Sequence, residues 1–115
     1  MLEINKIYDK DCFTFLSQLE DESINLAIID PPYNLKVADW DTFISIDDFL
    51  KFTYGWIDAL IPKLNNTSSL YIFNTPFNSA FILQYLLSKG LVYQNWITWD
   101  KRDGFSASKK KYNLL

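Results

Sequence analysis

The sequence predicts an α/β domain, a three-layer sandwich around a parallel sheet. Three observations lead there. Short apolar runs rich in β-branched residues alternate with stretches of helical periodicity, the order of βαβ units. The run at residues 24–29 places Leu26, Ala27, Ile28 and Ile29 in succession, the mark of a strand buried on both faces. That run stops at Asp30, Pro31 and Pro32, and prolines cannot donate to a β ladder.

Taken in order, residues 4–8 alternate as a first strand. Asp11 is placed to cap a helix over residues 12–19, where Cys12, Phe13, Phe15, Leu16 and Leu19 fall at helical spacing. Glu20, Asp21 and Glu22 lead into the second strand, residues 24–29. Residues 34–43 read as a loop containing Trp40 and Asp41, with Trp40 a hydrophobic plug in preference to a lid over a bound ring. Residues 45–64 form an amphipathic helix burying Phe49, Phe52, Trp56, Ile57, Leu60 and Ile61, with Thr53 the polar member of the stripe. Asp47 and Asp48 suit its first turn, Pro62 ends or kinks it, and Asn65, Asn66, Thr67 and Ser68 make a turn.

A third strand follows at residues 69–73. Asn74 at its carboxyl end either faces the same rim as Asp30 or, in preference, bonds the turn backbone. Residues 77–89 form a helix stopped by Gly90. Residues 91–99, β-branched and aromatic, complete a set of four strands.

A length of 115 residues allows one small domain. No stretch approaches the roughly 20 apolar residues of a membrane span, and the first residues do not start a secretory signal. Cys12 is the single cysteine, which fits a reducing cytoplasm, and the absence of histidine excludes a zinc site or a histidine triad. The net charge of -3 conceals an asymmetry. Residues 1–60 hold four lysines and twelve acids, whereas residues 61–115 hold seven basic residues and two acids. Phosphates would therefore meet the carboxyl-terminal part, where Lys109, Lys110 and Lys111 form either a basic contact or a solvated tail.

The chemistry concentrates at Asp30, Pro31, Pro32 and Tyr33. In open α/β sheets, ligands sit outside the carboxyl ends of the strands. A nucleobase amine is a poor nucleophile because its lone pair is delocalised into the ring. A carboxylate and a rigid carbonyl aimed at its two N–H groups favour a tetrahedral nitrogen with the lone pair free. Asp30 supplies the first, the Pro31–Pro32 segment the second, and Tyr33 a face on which a flipped-out base stacks. Such a site works by positioning and electrostatic stabilisation more than by strong base catalysis.

Asp30-Pro31-Pro32-Tyr33 resembles the catalytic motif of the amino-methyltransferases that act on DNA, with aspartate first as in the adenine-N6 enzymes. Residues 1–6, 38–40, 69–77 and 95–104 extend the likeness to the β-group enzymes of restriction–modification systems, of the MboII type, over the chain up to about Gly104. The resemblance implies an incomplete Rossmann-like methyltransferase fold, S-adenosyl-L-methionine as cofactor and double-stranded DNA as substrate. It implies Asp30, Pro31, Pro32 and Tyr33 as catalytic residues, and Asp11, Cys12 and Asp30 as cofactor neighbours. It also implies Asn34, Trp40, Lys101 and Arg102 as nucleic-acid contacts, the alternative for Lys101 and Arg102 being a salt-bridged strand end. It implies no metal.

The family's glycine-rich cofactor turn and its target-recognition region are not found in the sequence: Gly55, Gly90 and Gly104 are far apart and none opens a helix after a strand. The expectation is therefore an N-terminal, catalytic-motif part of a methyltransferase domain (residues 1–115), completed by a C-terminal half or a partner subunit. The three lysines at 109–111 suggest an adenine-rich gene tract where a frame slip would leave Leu114 and Leu115 out of frame.

Overall fold

The computed structural model describes residues 2–101. Helix α1 spans Cys12–Ser17, with the Asp11 carboxylate accepting from the amides of Phe13 and Thr14. Strand β1 is Ile24–Ile29 and helix α2 is Ile46–Leu60, capped by Ser45 through the amide of Asp48. A 3₁₀ turn at Ile61–Lys63, containing Pro62, closes α2 and delivers the chain into β2, Leu64–Ile72. Helix α3, Pro76–Ser88, starts on a Thr75 cap with proline in its first turn. Gly90, at φ +90°, lies just past its end.

Strands β1 and β2 pair in parallel, with Leu26, Ala27, Ile28 and Ile29 opposite Ser69, Leu70, Tyr71 and Ile72. The crossover runs through α2, as parallel strands require. The amide of Phe73 makes the last bond, to the carbonyl of Ile29 at 2.9 Å, and pairing ends where Pro31 and Pro32 predict.

The turn expected at residues 65–68 lies inside β2 instead. Ile24 pairs with Leu64 but Leu26 pairs with Ser69, so the additional residues bulge out of the ladder. The turn chemistry survives in that bulge: Asn65 Oδ1 accepts from Thr67 N and Oγ1, both at 3.1 Å. Asn25 on the facing strand ties the bulge down by donating to Asn65 Oδ1 and to the Thr67 carbonyl.

The core forms where α2 crosses the sheet. Leu16, Ala27, Trp56, Ile57, Leu60 and Ile82 are buried together, and Ile29, Leu70 and Ile72 pack against them. Phe49 is also buried, and Thr53 is accommodated because its hydroxyl donates to the Phe49 carbonyl. All three helices contribute to the same side. The two-faced burial expected of β1 is therefore corrected: its alternate residues Leu26 and Ile28 are 56% and 62% exposed, beside the exposed Tyr71. Among the described residues the architecture is two-layered, with two strands rather than four. Residues 4–8 and 91–99 form no strand. Their propensity is real, but a strand exists only through a neighbour's hydrogen bonds, and neither segment pairs with a sheet edge.

Candidate active site

Asp30 stands at the carboxyl end of β1, held by the termination of the ladder and the stiff Pro31–Pro32 segment. The phenol of Tyr33 donates to Asp30 Oδ1. Partial burial, then this bond and the nearby carboxylate charge, push the phenol up to about 12. Oδ2 of Asp30 receives no hydrogen bond among the described residues.

The following loop closes on a residue that sequence reasoning assigned no role. Asp41 sits in a 3₁₀ turn, Asp39–Asp41, and is only 2% exposed. Its Oδ1 accepts from the amides of Tyr33 and Asn34 at 2.7 and 2.8 Å. Its Oδ2 accepts from Leu35 at 2.8 Å and Val37 at 3.5 Å, and its carbonyl accepts from Lys36. Burial alone would raise the Asp41 carboxyl, but the four backbone donors outweigh it and hold the group below its usual range. Asn34 and Lys36 both adopt φ 62°, which curls the successive N–H groups inward as an anion-binding nest.

A second buried side chain grips the loop from α3. Asn78, 4% exposed, donates its amide to the Tyr33 carbonyl and to Asn74 Oδ1, both at 2.8 Å. Asn74 also accepts from the amide of Thr75, so it bonds the turn backbone as preferred from sequence, and it braces Asn78 as well. The Tyr33 carbonyl is thus engaged, while the carbonyls of Pro31 and Pro32 accept no bond among the described residues.

Two hollows flank Asp30. One, of about 320 Å³, is lined by Asp30, Pro31, Tyr33, Leu35, Val37, Trp40, Asp41 and Lys101. Trp40 is 67% exposed on its wall, so it is no plug in the interior. Lys101 lies over the Trp99 ring at 4.9 Å and on the same rim as Asp30. Asn34 does not line this hollow, and its Oδ1 is buried without a partner among the described residues. Arg102, Gly104 and the lysines at 109–111 lie outside the described residues.

The other hollow, about 470 Å³, runs along β1 and α2 and includes Cys12, Phe15, Leu26, Ile28, Asp30, Pro31, Phe52 and Trp56. Cys12 and Asp30, two of the expected cofactor neighbours, meet here; Asp11 does not line it, and its carboxylate is used in capping α1. Burial first, then the adjacent Asp11 charge, push the Cys12 thiol up, away from thiolate chemistry. The wall is almost wholly apolar. It suits a flat ring, but it lacks the donor set that the amino acid and ribose of S-adenosyl-L-methionine require, so these residues alone do not fit the whole cofactor. Among the described residues no acidic, cysteine or histidine cluster could hold a metal ion.

The DNA methylase family model matches residues 24–114. The chain belongs to that family. It is 62% identical over 113 residues to the type II methyltransferase M1.MboII of Moraxella bovis, covering 98% of this chain and 44% of that protein. It is 32% identical over 114 residues to the type II methyltransferase M.BamHI of Bacillus amyloliquefaciens, covering 96% and 26%. Against M.HpaI of Haemophilus parainfluenzae the identity is 30% over 97 residues, covering 82% and 31%. The resemblance to MboII-type enzymes seen in the motif therefore extends along nearly the whole of this chain. The chain spans less than half the length of each of these relatives.

Proposed function

We propose that this chain is the catalytic-motif part of a site-specific DNA methyltransferase that modifies adenine N6 of a flipped-out base. S-adenosyl-L-methionine is the methyl donor, and the enzyme is the modification arm of a cytoplasmic restriction–modification system. The observation that carries the reading is the common wall formed by Asp30, Pro31 and Tyr33 in the smaller hollow.

In that hollow a purine ring stacks on Tyr33, with Trp40 on the rim. One amine N–H points to the unengaged Oδ2 of Asp30 and the other to a proline carbonyl. Two acceptors on one nitrogen draw it toward tetrahedral geometry, with the lone pair directed away from both. Methylation of the amine would require loss of one N–H proton, and Asp30 is the proposed acceptor. Lys101 and Arg102 are the proposed phosphate contacts, and Asn34 and Trp40 the proposed contacts to the displaced nucleotide.

A second reading is favoured by the apolar wall and by a sheet face left uncovered among the described residues: the chain acts only with a polypeptide carrying the cofactor half, and without it is an inactive fragment. Adenine in RNA and cytosine N4 in DNA are the alternative amines. The test is transfer of a labelled methyl group to duplex DNA, by the chain alone and with a glycine-rich cofactor half added. Transfer to adenine N6 that falls about a thousandfold or more in Asp30→Ala, with cofactor binding retained, is the expected result. Full transfer in Asp30→Ala would remove the proposal.

A further inference from the structure

The loop after the motif is held in a way that the chemistry of Asp30 does not require. Tyr33 has both main-chain groups bonded by buried side chains from different elements: its N–H by Asp41 and its carbonyl by Asn78. The four amide donors on Asp41 come from Tyr33, Asn34, Leu35 and Val37, all from the loop segment that precedes it. Burying a charge is costly unless donors compensate it, so this carboxylate stabilises the loop only in the curled form that supplies them. Asn78 is similarly committed: an α3 side chain, 4% exposed, reaches a carbonyl distant in sequence.

We infer that Asp41 and Asn78 are positioning residues that clamp the Tyr33 main chain from opposite sides, fixing its ring over the hollow and its phenol against Asp30. The inference rests on the proposed base-binding role of that hollow for its purpose, but not for its geometry. With the clamp closed, Tyr33 has one rotatable side chain on a fixed base, and the neighbouring Pro31 and Pro32 carbonyls are held in place with it. With either half released, the backbone at Tyr33 moves and the ring loses its station over the cleft. A displacement of about 1 Å at such a site is enough to cost on the order of a hundredfold in rate.

The test reads the Tyr33 phenol in the full chain by tyrosine-selective carbon NMR, with the resonance assigned by its absence in Tyr33→Phe. The variants are Asp41→Asn, which keeps the shape and removes the charge, and Asn78→Leu, which keeps the size and removes the donor. Circular dichroism monitors folding. The expected result is that both fold and that the phenol, pushed up to about 12 in the parent, titrates nearer its ordinary value of about 10 in Asn78→Leu, which leaves in place the Asp41 charge that itself raises the phenol. A phenol unchanged in folded Asn78→Leu overturns the clamp, whether or not Asp41→Asn folds. Methyl transfer is measured in parallel on the same proteins. A parent that transfers nothing, even with a cofactor half added, counts against the proposed function, while the phenol still decides the clamp.

Discussion

The phenol of Tyr33 donates its hydrogen bond to the carboxylate of Asp30, three residues earlier across the two prolines. The side chain proposed to stack on the base and the one proposed to accept from its amine therefore orient each other. One carboxylate oxygen is engaged and the other accepts no hydrogen bond among the described residues. The bond also has a pH signature. The folded state raises the phenol to about 12, so it favours the neutral form.

Replacing Tyr33 by phenylalanine removes that signature and leaves the ring. Burial first and the bond second hold the phenol neutral, so the stability Tyr33 contributes is fully present below about pH 10, the unfolded value, and is lost as pH rises through about 12. Urea midpoints of the parent and Tyr33→Phe are expected to converge across that interval. Midpoints that stay equally separated from pH 9 to 12 would show that the bond is not what distinguishes them.

Asp41 titrates in the opposite sense. Its folded carboxyl lies below the usual carboxylate range, so its contribution is complete above about pH 4 and is lost as pH falls through the depressed folded value. Asp41→Asn is expected to cost about 1–3 kcal/mol at neutral pH and progressively less in acid. Chemical denaturation of both proteins at pH 7 and pH 3 measures the difference.

Ile57 is fully buried in the last turn of α2, and Ile44 is 97% exposed just before that helix. Ile57→Ala should destabilise the fold by about 2–5 kcal/mol, whereas Ile44→Ala should stay within about 0.5 kcal/mol. Similar costs at the two positions in thermal melts would contradict the placement of the core.

Gly90 follows α3 at φ +90°, where a side chain is strained although a Cβ would meet nothing within 4 Å. Gly90→Ala is expected to cost about 1 kcal/mol through the backbone alone. Fraying should appear first in hydrogen exchange of the last turn of α3, including the amides of Lys89 and Leu91 that close on it. Unchanged exchange there would show that the glycine is not needed.

The open side of the sheet predicts behaviour in solution. Leu26, Ile28 and Tyr71 form an exposed apolar row next to a β1 edge that is unpaired among the described residues. Converting Leu26 and Ile28 to threonine should reduce self-association in sedimentation runs without loss of helical signal. Sedimentation unchanged by the pair would place the adhesive surface elsewhere.

Local signals in the sequence were enough for the elements whose causes are local. The Asp11 cap, the stripe of α2, the stop at Gly90 and the end of β1 before the prolines each depend on residues within a few positions. The motif at Asp30 was legible for the same reason, since an apolar strand, a carboxylate and two prolines are contiguous. Tertiary structure decided what depends on distant partners. Residues 4–8 and 91–99 carry strand composition but find no ladder, because β structure is made between segments rather than within one. Residues 65–68 carry turn composition, yet Asn25 gathers them into a bulge of β2. Asp41 and Asn78 look like an ordinary loop acid and an ordinary first-turn asparagine. Only the folded chain, by burying both against the main chain of Tyr33, leaves them no solvent to satisfy their polar atoms and so commits them to the loop.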